Sequence, residues 1–334
     1  MRWLYKTWVK VIAGVMLAVV FIIAVFYLRF QPAETISWGV TYSPTYAEYL
    51  GLDPVVTFND LLNDLHPAHV RLVTYWETLE TQPGQIDFAS VDRLLGLATT
   101  HGTDVVLIIG HKQPRWPECH HPAWYESLNP DQQRQAVLDF VEAEVNHFKT
   151  FAIISRWQVE NEPLFPYGDN CPLHTRAQLR EEINLVKGLD SRPVILTDSG
   201  EKGDWFRVAS LADIFGSTMY RTVYNPNYGG YVSYHLPPAF YRVRAGMLQL
   251  FTGTREIIGV ELQAEPWFAR DINDTTLEEQ YELMNAQKLA DNVNYARQAG
   301  FAENYLWGAE WWYWLKNKHD DPSLVEAARK VFQP

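Results

Sequence analysis

Two carboxylates stand where one reaction could use both. Glu162 lies in Asn161-Glu162-Pro163, directly after the apolar run Trp157-Gln158-Val159. Glu261 follows Ile257-Ile258-Gly259-Val260, about a hundred residues further on. Each occupies a polar position where an apolar, strand-like run gives out. Carboxyls facing each other across a cleft suit glycosidic bond cleavage, in which one protonates the leaving oxygen and the other attacks or stabilises the oxocarbenium-like carbon. Glu265 competes with Glu261, but Glu261 is the first position beyond the apolar run. Glu310 and Asp198 also reach the rim, and a third acid there would weaken a two-residue account.

The elements that must carry these residues alternate. Strand-like runs occur at Ile36–Thr41, His69–Val73, Asp104–Ile109, Ile153–Val159, Val194–Thr197, Ile214–Tyr220, Ile257–Leu262 and Tyr305–Gly308. Helical patterns lie between them at Phe58–Asp64, Ser90–Thr100, Pro130–Phe148, Thr175–Leu189, Ala239–Phe251, Leu277–Ala299 and Leu324–Val331. Strict alternation over eight strands predicts an α/β fold of the (β/α)8 TIM barrel type rather than a doubly wound sheet. Such a barrel gathers its chemistry at the C-terminal ends of its strands. Glu162 then leaves the fourth strand and Glu261 the seventh, on opposite sides of one mouth.

Asn161-Glu162-Pro163 after the fourth strand, with a Glu ending the seventh, resembles the signature of the retaining glycoside hydrolases of clan A. Val70-Arg71-Leu72 with Trp76, Glu80, Pro83-Gly84-Gln85-Ile86-Asp87-Phe88 and Asp92 is similar to the corresponding part of family 42 beta-galactosidases and family 5-like cellulases and mannanases. The resemblance spans nearly all of residues 36–315. It implies Glu162 as general acid/base and Glu261 as nucleophile. It further implies that Asn161 bonds the sugar 2-hydroxyl and that Arg71 lies beneath the nucleophile. Tyr220 is expected to donate to the nucleophile and Trp311 to form a stacking floor; Trp76 and His111 complete the expected substrate contacts. Leu262-Gln263-Ala264-Glu265 after Glu261 departs from the Phe-Gly or Tyr-Gly usual in family 5-like chains.

The barrel order makes the loops after the third and fourth strands neighbours. Those loops hold the chain's two cysteines, Cys119 and Cys171, so a disulfide between them is expected. Neither a CxxC pair nor Cys/His ligand spacing is present, so no metal is expected, and the carboxylates need no organic cofactor.

Composition narrows the partners. The formal net charge of 334 residues is −12, yet the first thirty carry four basic residues and no acid. The remaining chain is therefore still more acidic and has no basic run, a poor match to nucleic acid. Its 13 Trp, 18 Tyr and 16 Phe suit a ligand with both apolar faces and polar rims, such as a sugar. From Val11 to Leu28 the chain is uncharged and apolar, ~27 Å as a helix, nearly a bilayer core. Trp3, Tyr5, Trp8 and Tyr27 flank the run, as interfacial aromatics do. Arg2, Lys6 and Lys10 precede the run and Arg29 follows it, which places the N-terminus in the cytoplasm and the rest outside. The expected organisation is a stub and signal-anchor at 1–30 and a catalytic barrel at 31–334. The expected function is a membrane-anchored retaining glycoside hydrolase acting on an oligo- or polysaccharide. A transglycosylase using the same residues and a non-catalytic glycan-binding barrel are the alternatives.

Overall fold

The computed structural model describes residues 2–333, with side chains from Thr7 onward, so the side chains of Arg2, Trp3, Tyr5 and Lys6 lie outside the described residues. Eight parallel strands close into a barrel in the order β1-β10-β9-β6-β5-β4-β3-β2. They are β1 (Ser37–Tyr42), β2 (His69–Val73), β3 (Asp104–Ile109), β4 (Ile154–Val159), β5 (Val194–Asp198), β6 (Ile214–Met219), β9 (Glu256–Gln263) and β10 (Glu303–Trp307). The helices between them form the outer layer that the alternation predicts.

Two differences from the sequence reading have local causes. The segment Leu277–Ala299 is two helices, Leu277–Leu283 and Ala286–Ala299, because Met284 turns extended and buries while Asn285 caps the second helix through Lys288 N–H. After β6 the chain forms an antiparallel hairpin, β7 (Thr222–Asn225) with β8 (Gly230–Ser233). Asn225-Pro226-Asn227-Tyr228-Gly229 between two β-prone stretches is the turn signal for it.

The main core lies between the strands and the surrounding helices; a second cluster fills the barrel with Val106, Ile195, Ile214, Ile258, Val260 and Tyr305, and a small third one joins Val73, Tyr75 and Ile108. The Tyr305 ring fits because β1 has Gly39 opposite it, where a Cβ would lie 2.6 Å from the ring. Below it, the Tyr305 hydroxyl and Arg156 both bond Glu303 at 2.6 Å, which pairs the charges that close the barrel floor.

The N-terminal helix, Arg2–Arg29, contains a stretch at Thr7–Arg29 long and apolar enough to cross a membrane or to serve as a signal sequence. Its last turns pack on the barrel helix Pro238–Phe251. Phe26 meets Phe251 with ring centroids 5.8 Å apart, and the Arg242 guanidinium lies 3.7 Å over the Tyr27 ring. Gly246 permits this approach, since a Cβ there would collide with the Phe26 carbonyl.

Cys119 and Cys171 are joined, with Cα atoms 5.3 Å apart, stapling the loop after β3 to the loop after β4 as the barrel order predicts.

Two measurements check these constraints on the full chain in detergent. Gly39→Val, pressing a branched side chain into Tyr305 and the His69 carbonyl, should cost about 1–3 kcal/mol and lower the thermal midpoint. Gly96→Ala, whose Cβ meets open space within a helix, should be neutral or slightly stabilising. Replacing both cysteines by Ser removes a cross-link spanning 52 residues, for which chain entropy predicts a loss of up to about 4 kcal/mol and faster proteolysis of the two loops.

Candidate active site

Arg71 rises from β2 inside the barrel and has no exposed side-chain surface. Its guanidinium is used on every side. Nε donates to Gln158 Oε1 at 2.7 Å, Nη1 to Glu261 Oε1 at 2.9 Å and Nη2 to Asn161 Oδ1 at 2.9 Å. One rigid planar group from β2 thereby sets side chains of β4, the turn after it, and β9. Glu261 receives a second bond from the Tyr220 hydroxyl at 2.8 Å. Tyr220 stands just past β6, which pairs with β9 through Thr218 opposite Glu261.

The turn after β4 is backbone-constrained. Glu160 and Glu162 both have left-handed backbones, φ 59° and 43°, a conformation that costs non-glycine residues of order 1–3 kcal/mol and concentrates at functional sites. Thr197, on β5, holds the turn by accepting Glu162 N–H at 2.8 Å and donating to Asn161 Oδ1 at 3.3 Å. Glu160 points away from the mouth, accepting His111 N–H at 3.0 Å and Lys112 N–H.

Glu162 and Glu261 have different surroundings. Glu261 is ion-paired, whereas no cation pairs with Glu162 among the described residues. Burial, then the carboxyls of Glu261, Glu118 and Asp198, push the Glu162 carboxyl well above the usual range, against a smaller opposing pull from Lys112. A carboxyl so placed keeps its proton, as a general acid must. Lys112 spends its ammonium on the carbonyls of Glu162 and Phe165, at 3.0 and 2.8 Å, and so braces the acid's loop.

The structure places the other expected residues variously. Glu265 is engaged by Arg115, which also bonds Glu310 at 2.9 Å and lies over the rings of Tyr46 and Trp307, 3.7 and 4.2 Å from their centroids. Trp311 is fully buried, donating to Gln280 at 2.8 Å on the helix Leu277–Leu283, so it packs in the outer core instead of flooring a subsite. The helix Ala309–Lys318 begins immediately after β10, and its first turn carries Trp311 outward; Trp307 is the indole that ends β10. Trp76 is likewise in the outer core, stacked on Phe140 with centroids 4.9 Å apart and donating to Glu80 at 2.6 Å. His111 sits behind the wall with Nε2 3.3 Å from His121, and burial pulls it down to about 3, so it is neutral. Exposed Trp116 meets Tyr167, Tyr167 meets Trp267 and Trp267 meets Tyr220, ring against ring, with centroid distances of 5.8, 6.0 and 5.1 Å. This aromatic chain links the stapled loops to Tyr220 beside Glu261.

Asp198 is the further strand-end acid; burial, the first of its causes, pushes it up to about 7. Glu118 escaped the sequence reading. It is buried, and its Oε2 accepts from Asn161 Nδ2 at 3.3 Å. Its neighbour Cys119 held the clue, because the expected disulfide already tied this loop to the wall beside Glu162.

For a metal, the described residues offer His111, Glu160 and His174, with ligand atoms within 4.8 Å of one another. That group is charge-compensated by the protein itself. His174 faces Glu160 and Glu182 at 3.7 Å each, and Arg134 pairs with Glu182.

Residues 73–182 match the sequence model of Glycosyl hydrolase family 10, a stretch that includes Asn161 and Glu162 and stops before β9. This is a different family from the two that the Arg71 region resembles. Solved structures share the barrel at low identity. A glycosylated endo-beta-1,4-xylanase of family 10 from Gloeophyllum trabeum is 16% identical with TM-score 0.56, covering 90% of this chain and 98% of that one. A GH5_18 protein from Bifidobacterium longum, solved with Manb1-4GlcNAc, is 13% identical with TM-score 0.59, covering 89% and 78%. A GH2 beta-galacturonidase from Eisenbergiella tayi is 15% identical with TM-score 0.52 over 84% of this chain, which spans about half of that protein, 47%. The chain thus shares the closed barrel fold of these glycosidases, and its segment 73–182 is similar to Glycosyl hydrolase family 10.

Proposed function

We propose that the chain is a retaining glycoside hydrolase that works by double displacement. The observation that carries this reading is the contrast between two buried carboxyls at one barrel mouth: Glu261 with a guanidinium and a phenol, Glu162 with no counter-ion. Glu261 attacks the anomeric carbon as Glu162 gives its proton to the departing oxygen, leaving a glycosyl ester on Glu261. Glu162, now a carboxylate, takes a proton from water, which attacks the same carbon and frees Glu261. Arg71 and Tyr220 hold Glu261 in aim throughout.

The substrate in this proposal is an oligo- or polysaccharide whose sugar faces meet Trp116, Tyr167 and Trp267. The N-terminal helix anchors the enzyme in a bilayer with the N-terminus cytoplasmic and the barrel outside, a side on which the Cys119–Cys171 bond persists. Packing of Phe26 and Tyr27 on the helix Pro238–Phe251 limits how freely the barrel tilts on that anchor.

A mechanism-based fluorinated glycoside, applied to the full chain in detergent and followed by peptide mass spectrometry, should label Glu261 and leave Glu261→Gln unlabelled. Label on Glu265 would move the nucleophile four residues on, to just past the end of β9. Glu162→Gln should lower kcat roughly 10²–10⁴-fold for substrates with poor leaving groups and much less for the glycosylation step of activated aryl glycosides. Sugar transferred to an added acceptor, in place of free sugar, would assign transglycosylation.

The pH profile carries a sign. Activity is lost on the alkaline side as Glu162 gives up its proton, and the negative charge of Asp198 holds that proton on. Asp198→Asn should therefore shift the alkaline limb of kcat/KM to lower pH, by a few tenths of a unit or more. An unmoved or raised limb would refute the electrostatic assignment.

A further inference from the structure

Glu118 is a third carboxyl at the mouth, and the double displacement leaves it without a role. Its backbone is left-handed, φ 76°, and is pinned from several directions. The N–H donates to the Arg115 carbonyl at 2.7 Å, the carbonyl accepts Gln113 N–H at 2.7 Å, and the next residue is in the disulfide. The side chain so fixed accepts one protein hydrogen bond, from Asn161 at 3.3 Å, and has no ion pair among the described residues. Lys112, the cation nearest in influence, aims its ammonium at the Glu162 and Phe165 carbonyls.

Its position relative to the nucleophile follows from Arg71, which holds Asn161 on one nitrogen and Glu261 on another, both at 2.9 Å. Glu118 is thus linked to Glu261 through Asn161 and Arg71, and its carboxyl lies within electrostatic reach of both Glu261 and Glu162. In the proposed reaction Glu261 meets the anomeric carbon, so a group beside it meets the substituent on the adjoining ring carbon, C2, whose hydrogen bonds strengthen in the transition state. Glu118 has no ion pair among the described residues, so a hydroxyl at C2 leaves it without a counter-charge and an amino group supplies one.

Resting on the glycosidase reading, we propose that Glu118 reads the C2 substituent and that the substrate is a glycoside of a 2-amino-2-deoxy sugar with its amine free. Burial, the largest cause, pushes Glu118 up to about 8, so near neutrality it holds a proton. On binding a neutral amine that proton passes from carboxyl to nitrogen, and the pair becomes carboxylate and ammonium with no change in total charge.

The test uses the full chain in detergent with 4-nitrophenyl glycosides of glucosamine, glucose and N-acetylglucosamine, both anomers of each. Wild type should favour the glucosaminide in kcat/KM by tenfold or more. Glu118→Gln should lose about 10–100-fold on the glucosaminide and threefold or less on the glucoside. Preference for the glucoside or the N-acetyl sugar, or equal losses on all, would overturn the proposal. Calorimetric binding of free D-glucosamine and D-glucose separates it from the hydrolase reading. Selective glucosamine binding that needs Glu118, without turnover of any glycoside, would sustain the amino-sugar subsite and defeat the hydrolase. Turnover with labelled Glu261 but no amino preference would do the reverse. Wild-type selectivity is decisive even if Glu118→Gln fails to fold.

Discussion

Everything at the mouth of this barrel depends on a guanidinium that has no contact with water. Arg71 crosses the barrel interior from β2 to reach Glu261 on β9, and its remaining nitrogens fix Gln158 and Asn161. Removing such a charge from water is costly, and the cost is offset only when each donor finds a well-placed acceptor. All three of its nitrogens do. The same requirement works in reverse, since Glu261 is nearly buried and relies on Arg71 for its counter-charge. The ion pair therefore couples the closure of the barrel to the placement of Glu261.

Distributing the cations unequally then differentiates chemically identical groups. Glu261 and Glu162 are both buried glutamates, but one faces a guanidinium and the other faces carboxyls. Arg115 is similarly assigned, taking Glu265 and Glu310 between the rings of Tyr46 and Trp307. A second carboxylate just past β9, four residues from Glu261, is in this way tied into the wall. Glu162 and Glu118, without ion pairs among the described residues, lie on the two loops that the disulfide joins. Burial without a counter-ion gives those carboxyls a hold on protons, so the lack of a partner is itself a property the fold produces.

The strained turn after β4 belongs to the same design. Residues with positive φ persist where surrounding bonds over-determine them. Here Thr197 accepts from the Glu162 backbone amide and donates to Asn161 Oδ1, while two backbone amides from the loop after β3 donate to the Glu160 carboxylate. Gly110 makes room for that last contact, because a Cβ at its position would strike the Glu160 carboxylate.

Periodicity and strand-end position were sufficient to read the barrel, the strand limits to within a residue or two, and the strand-end carboxyls Glu162 and Glu261; Arg71, Asn161 and Tyr220 were pointed to by the family resemblance. Those features are local: a buried parallel strand is an apolar run, and its end is where polarity returns. Even the disulfide was legible, because barrel order makes consecutive loops neighbours. Trp311 and Trp76 were not, since an aromatic near a strand end faces the cleft or the outer core according to the first turn of the helix that follows it. Glu118 depended still more on tertiary structure. It lies in a loop without periodicity, and its approach to Asn161 is set by a cross-link and a left-handed backbone rather than by spacing. Sequence by itself determined which residues reach the rim; only the packed structure decided which carboxyls receive a cation, because pairing depends on distances across the barrel that no stretch of chain encodes alone.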